Sequence, residues 1–294
     1  MAFPFLQLLF NSFISGSIYA LVAVGFSLVY STHRFMHLAH GVSVTGAGYL
    51  LFMLFMIWNI PFSLAVVITL VVTAFLGYGM YQLVYFPLQQ KNSSTVILLI
   101  ASIALLILGE NIILALFGAE VKAISLIETS QGMTIGEAII TPLQVIIIVT
   151  SLILFVVLYF LLKKTKLGRN LRAVADNQQL AAIMGLNIKR IMIVSLIVGS
   201  MLGGVAGILI GLEQNINPTM GTKMMIKGFS GAVVGGILSV PGSIMGSYLI
   251  GLAENFGVWY LPSGFKDAIA FLLLFLFLLF KPSGLFGIDQ GVKR

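Results

Sequence analysis

Apolar residues come along this chain in long runs separated by short polar breaks. The runs extend from about Phe5 to Tyr30, Gly41 to Trp58, Phe62 to Phe86, Thr95 to Phe117, Ile139 to Leu162 and Ile191 to Leu212. A last run covers Ala268 to Phe280 and ends in a polar tail. Several hold about 18 or more residues, enough to span ~30 Å of hydrocarbon as a helix. The breaks are STHRFMHLAH after the first run, the turn Asn59-Ile60-Pro61, then PLQQKNS. They continue with a longer polar segment, Gly118 to Gly136, that carries Glu120 and Glu128 with Glu137 just beyond it, and with a basic stretch from Lys163 to Arg190. After EQNINPTMGTK comes a different pattern, a Gly-rich region from Gly228 to Gly257 split by Val240-Pro241-Gly242. It is too long for one span and short for two, which predicts two short or broken helices. Such pieces are tolerated at membrane depth only when buried in protein or lining a cavity, so this region is a candidate functional centre.

Composition agrees with the pattern. The chain is 59% apolar and 9% charged, with mean hydropathy +1.10, whereas a soluble domain carries about 25% charged residues. The expectation is an all-α polytopic membrane protein with about eight or nine transmembrane segments, a broken or re-entrant Gly-rich pair among them, forming a single domain over residues 1–294. The opening MAFPFLQLLF has no basic region and no small-residue cleavage site, so it reads as the start of a retained span. There is no Cys, hence no disulfide, Cys-zinc site or thiol chemistry.

The net charge of +7 points to cytoplasmic loops of a membrane protein rather than to nucleic acid. Lys163, Lys164, Lys166, Arg169, Arg172, Lys189 and Arg190 place seven of the sixteen basic residues in one stretch. With that stretch inside, alternating spans put Arg34, Lys91, Lys281, Lys293 and Arg294 inside too. Lys122, Lys223, Lys227 and Lys266 fall outside. This orientation needs about nine crossings, with the N-terminus outside and the C-terminus inside. A re-entrant Gly-rich region would lower the count and move one terminus.

Gly199, Gly203, Gly207 and Gly211 recur every four residues and make one smooth helical stripe. It suits close packing within one subunit, or alternatively a subunit or moving-gate interface. Gly231 with Gly235, and Gly242 with Gly246, repeat the spacing. Glu110 and Glu254 lie in or beside apolar spans, where ionisable groups are expensive. A proton relay is one reading, and a carboxyl hydrogen-bonded to a neighbouring helix is the other. His33, His37 and His40 share one helical face if the helix continues through them, in a turn expected at the membrane surface. No carboxylate or Cys completes a ligand set, so no metal is expected. No P-loop, HExxH, GxSxG or kinase motif set occurs. Any work done by the chain must draw on an ion gradient or a partner, and no cofactor of its own is expected.

The middle of the basic stretch reads LRAVADNQQLAAIM, with Leu180, Ile183 and Met184 on one face. Asp176-Asn177 suits the start of a second helical turn, and Gly185 suits its C-terminal cap. Short amphipathic helices are predicted, either lying on lipid or docking a soluble partner.

LGRNLRAVADNQQLAAIMGLNIKRI resembles the cytoplasmic coupling loop of branched-chain amino acid ABC transporter permeases of the LivH type, through Arg172-Ala173-Val174-Ala175 and Ala181 to Leu186. Three further stretches resemble the same family in the same order: Leu38-Ala39-His40-Gly41 at the first hairpin, the Gly-rich segment from Ile216 to Glu254, and KPSGLFG. His37 departs from the Asn often found there. The resemblance implies a multi-pass permease of a bacterial or archaeal cytoplasmic membrane, surrounded by lipid. It implies a second, LivM-type permease subunit, two cytoplasmic ATPases that bind the ATP, and an extracytoplasmic substrate-binding protein. Arg169, Arg172, Ala173, Asp176, Ala181, Ala182 and Gly185 would form the ATPase-coupling loop within residues 163–190. Helix packing and the pathway would involve Gly199, Gly203, Gly207, Gly211, Ser230, Gly231, Gly235, Ser239, Pro241 and Gly242, with His37, His40 and Gly41 as the first-hairpin motif. Urea or short-amide permeases of the same family, and ion-coupled secondary transporters, are the alternative functions. A passive membrane scaffold is disfavoured by the Gly-rich broken spans.

Overall fold

The computed structural model describes residues 5–125 and 132–287. Glu128, Lys293 and Arg294 of the charge pattern lie outside these residues. The first helix, α1 (Phe5–His33), is the axis of the molecule and is almost wholly buried by other helices. Two of its hydroxyls are satisfied within the helix: Ser12 donates to Leu8 O at 2.7 Å and Ser31 to Leu28 O at 2.9 Å. This back-bonding lets Ser and Thr sit inside a greasy helix without an orphaned donor. The helix stops at His33 because Arg34 adopts φ 60.

Residues 34–39 are not helical, and α2 (His40–Phe52) follows, extended by a π-turn over Met53–Ile57. Then come α3 (Phe62–Met80), a π-turn at Tyr81–Tyr85, α4 (Phe86–Gln90) and α5 (Thr95–Phe117). The polar segment after α5 contains an antiparallel hairpin, β1 (Met133–Ile135) and β2 (Ala138–Ile140). Next come α6 (Pro142–Lys164), α7 (Lys166–Asp176), α8 (Gln178–Ile183) and α9 (Ile188–Glu213). The chain closes with α10 (Met220–Gly235), α11 (Val240–Tyr260) and α12 (Lys266–Phe280). Among the described residues seven helices are long and apolar enough to cross a membrane, and α10 with α11 forms a pair bent by 116°.

Glycine decides how α9 sits. A Cβ at Gly199 would meet Val29 Cγ2 at 2.7 Å, one at Gly203 the His40 ring at 2.9 Å, and one at Gly207 the Val44 carbonyl. The stripe therefore packs α9 against α1 and α2 of the same chain, and Gly211 faces Ile216. The arms of the Gly-rich hairpin also meet backbone to backbone, Gly235 on Gly242 and Gly246 on Gly231.

Three sequence expectations need correction here. The break lies at residues 236–239, with Gly236 at φ 113, and not at Pro241. Pro241 opens α11, where its missing N–H costs nothing. The first arm also begins at Met220, earlier than Gly228. Finally, both arms open toward the same end of the bundle. Ile216, just before α10, exchanges backbone hydrogen bonds with Lys122, and Phe256 near the end of α11 meets Phe5 at the start of α1 edge to face. Gln7 in turn bonds Ile139 of β2. A hairpin that starts and finishes at one end leaves α12 running in the direction the nine-crossing pattern gave it, so a re-entrant pair would not move a terminus.

Carbonyls freed at the break find partners. Leu285 N donates to Val234 O and Phe286 N to Gly235 O, both at 2.9 Å. Ser27 donates to Ile237 O at 2.8 Å. The segment after α12 and the last third of α1 thus supply the partners that backbone groups freed at membrane depth need.

Candidate functional site

The basic stretch is built as two short helices held on the end of the bundle. Thr165 caps α7 by accepting from Gly168 N at 3.0 Å. Gly168 is required at the sharp α6–α7 junction, since a Cβ would meet the Leu161 and Leu162 backbone. Asn177 caps α8, accepting from Leu180 N at 2.9 Å, and Gly185 ends it at φ 82. Asn187 caps α9, accepting from Arg190 N at 3.0 Å. These are the capping positions that Asp, Asn and Gly favour.

Leu171, Val174 and Ala181 point inward onto Leu28 and Ile191. Gln178 donates to Thr32 O at 2.6 Å, and Arg34 donates to Ala175 O. The pair of helices is thus tied to the end of α1. Outward stand Leu180, 82%-exposed Ile183 and 76%-exposed Met184. A groove of about 300 Å³ runs between Ala173, Asp176, Leu180 and Met184. Of the residues expected in the coupling loop, Arg169, Arg172, Ala173, Asp176, Ala182 and Gly185 are exposed. Ala181 is buried and faces the bundle.

The Gly-rich hairpin holds a second constellation. Lys227 of α10 lies 3.1 Å from Glu254 Oε1 of α11 and 3.0 Å from Asp267 Oδ1 of α12. Tyr19 of α1 donates to Glu254 Oε2 at 2.8 Å and accepts from Lys227 at 3.1 Å. Glu254 and Tyr19 are buried, and Lys227 nearly so, while Asp267 is 62% exposed in its side chain. Lys227 is therefore not a charge of an outer loop, as its place after EQNINPTMGTK suggested. Burial inside the bundle requires a counter-charge, and Glu254 supplies it. Glu110 accepts a hydrogen bond from Thr222 and so joins α5 to α10. Both intramembrane acids bond to neighbouring helices.

Ser230 and Ala232 are fully buried, as are Gly231, Gly235 and Gly242. Ser239 is half-buried and caps α11 through Gly242 N at 3.2 Å. Pro241 is exposed. In this conformation the hairpin is packed helix against helix. His33, His37 and His40 do not share a helical face, because the helix ends between them, and all three are buried. His37 Nδ1 sits 2.9 Å from the Tyr85 hydroxyl, and Ser102 accepts from Ala39 N at 2.9 Å. Gly41 and Gly221 face each other at close range where α2 meets α10. No group of three His, Cys, Asp or Glu suited to a metal occurs among the described residues. Tyr19 and Lys227 were missed as partners of Glu254, and Asp267 as the second partner of Lys227. The available signal was a Lys and a Glu, each inside a stretch otherwise poor in charge.

Comparison with known proteins decides the family. The family described as branched-chain amino acid transport system / permease component matches residues 8–278. The chain belongs to this family. It is a multi-pass transport permease of the cytoplasmic membrane. It is similar to BraD, the high-affinity branched-chain amino acid transport permease of Pseudomonas aeruginosa, at 31% identity over 99% of this chain and 98% of BraD. LivH of Escherichia coli K12 is 31% identical over 98% of this chain and 97% of LivH. In three dimensions the chain resembles PsaBC from Streptococcus pneumoniae, solved in complex with a Fab, with TM-score 0.50 and 16% identity over 96% of this chain and 94% of that one. That likeness speaks to the fold alone.

Proposed function

We propose that this permease is the membrane subunit of a binding-protein-dependent ABC importer and moves branched-chain amino acids. A LivM-type second permease completes the pathway, two separate ATPases dock on α7 and α8, and an extracytoplasmic binding protein delivers the substrate. The observation that carries this is the clamp between α7–α8 and the end of α1. An exposed apolar surface is hydrogen-bonded through Gln178 and Arg34 to the most buried helix of the bundle. Force applied there by an ATPase reaches the core directly. Relatives that carry branched-chain amino acid transport in their names support the substrate.

In this reading residues 163–190 form the coupling loop on the cytoplasmic side of a single permease domain. Ile183, Met184 and Ala182 contact the ATPase, Arg169, Arg172 and Asp176 flank the groove with charge, and Gly185 sets the exit toward α9. Gly199, Gly203, Gly207 and Gly211 let α9 slide against α1 and α2. The hairpin from Ser230 to Gly242 opens part of the pathway on nucleotide binding. The His37–His40–Gly41 segment anchors α2 beside α10. The test is uptake of labelled leucine by proteoliposomes holding the permease pair, the ATPases and the binding protein. ATP-dependent uptake of leucine, isoleucine and valine supports the reading, and uptake of urea or short amides in their place overturns the substrate assignment.

A further inference from the structure

At the end of the bundle that carries α7 and α8, a crevice of about 420 Å³ opens between the ends of α1, α4 and α9 and the start of α5. It is separate from the α7–α8 groove, and Gln178, which ties α8 to α1, lines one side of it. Its volume lies in the range of small-ligand sites. At its rim Lys189 Nζ stands 3.6 Å from the centroid of the Phe86 ring, with Gln89 and Gln90 beside it. The cation–π contact holds the ammonium over the opening and leaves its N–H groups free for an anion. Leu98 and Met192 line an apolar wall, and no acidic residue is among the lining groups.

His33 also lines the crevice, and it is buried. Its Nδ1 is enclosed by the Thr32 hydroxyl at 3.0 Å, the Val29 carbonyl at 3.2 Å and the Ser195 hydroxyl at 3.4 Å. The ring thus belongs to the packed wall of the crevice.

We propose that this crevice binds an anionic phospholipid, for which phosphatidylglycerol is the probe. The phosphate meets Lys189 and the glutamine amides, and the acyl chains run over Leu98 onto the exposed apolar face of α5. Val96 and Ile100 make up that face. Basic pockets between membrane helices at the cytoplasmic surface suit such headgroups. A zwitterionic lipid would bring a second cation to a rim that already holds Lys189 and has no carboxylate to receive it.

The test uses the full chain in its complex, in lipid nanodiscs, with Gln90→Cys as a reporter in a protein that has no native Cys. Labelling by a water-soluble maleimide should be several-fold slower in phosphatidylglycerol–phosphatidylcholine discs than in phosphatidylcholine alone. Adding Lys189→Gln should abolish that protection, and Lys189→Arg should keep it. Equal labelling in the two lipids overturns the proposal. So does protection that survives Lys189→Gln alongside normal thermal stability, since the lipid then acts elsewhere. Protection in phosphatidylcholine by inorganic phosphate alone assigns the crevice to a free anion and overturns the lipid assignment. Should Lys189→Gln fail to assemble, Phe86→Leu, which removes the ring that holds the ammonium over the opening, must still weaken protection or the proposal falls.

Discussion

Removing one member of the Lys227–Glu254 pair should damage the protein far more than removing both. In Lys227→Met, Glu254 stays fully enclosed and keeps only the Tyr19 hydroxyl, since its second oxygen faced Lys227 at 3.1 Å. Stripping a buried charge of its partner costs about 3–5 kcal/mol. The lost Lys227–Asp267 contact adds little, because Asp267 is mostly exposed and such pairs are worth ~1 kcal/mol or less. At roughly 2–4 °C per kcal/mol for chains of 150–250 residues, the detergent-solubilised permease should melt about 6–20 °C lower. In Lys227→Met/Glu254→Leu no unpaired charge remains inside, and buried pairs replaced by apolar residues are often neutral in stability. The double variant should recover most of the loss. The assay is thermal unfolding followed by size-exclusion fluorescence, run as a double-mutant cycle with Glu254→Leu. Additive single effects would refute the reasoning, as would a Lys227→Met drop of ~2 °C or less, because the pair would then be solvated rather than desolvated. Transport by the double variant separates the two roles left to the cluster. Normal uptake makes it a structural pin, and lost uptake with restored stability makes it part of the moving machinery.

Gly207→Ala drives a Cβ into the Val44 carbonyl and should cost ~1–3 kcal/mol with lower folded yield, whereas Gly79→Ala, with nothing within 4 Å, should be neutral or gain up to ~1 kcal/mol; thermal melts of the two variants compare them directly. Ala182→Glu should leave the melt unchanged and sharply reduce ATPase co-purification, while Ala181→Glu should lower folded yield because that side chain is buried; the reverse pattern would place the docking face wrongly. Single Cys at Ser239 should label slowly without nucleotide, whereas Cys at Ser230 or Ala232 should label only when nucleotide is trapped on the ATPases. Absence of labelling at all three in every state would remove the hairpin from the pathway.

Hydropathy alone carried the class, most span positions and the placing of the amphipathic pair, because burial in lipid is written residue by residue as long apolar runs. Capping is equally local, so the break at Asp176-Asn177 and the stop at Gly185 were legible before any packing was known. Partner choice was not. Which helix meets the Gly199–Gly211 stripe depends on surfaces far apart in sequence, and only the folded bundle shows α1 and α2 in contact with it. The hairpin break was misplaced at Pro241 because Pro both ends and begins helices, and residues 281–287, which cap the broken end, are distant along the chain. Lys227 looked like a loop charge for the same reason. A one-dimensional pattern counts a Lys as solvated, and only tertiary structure reveals that a carboxylate 27 residues away allows it to be buried.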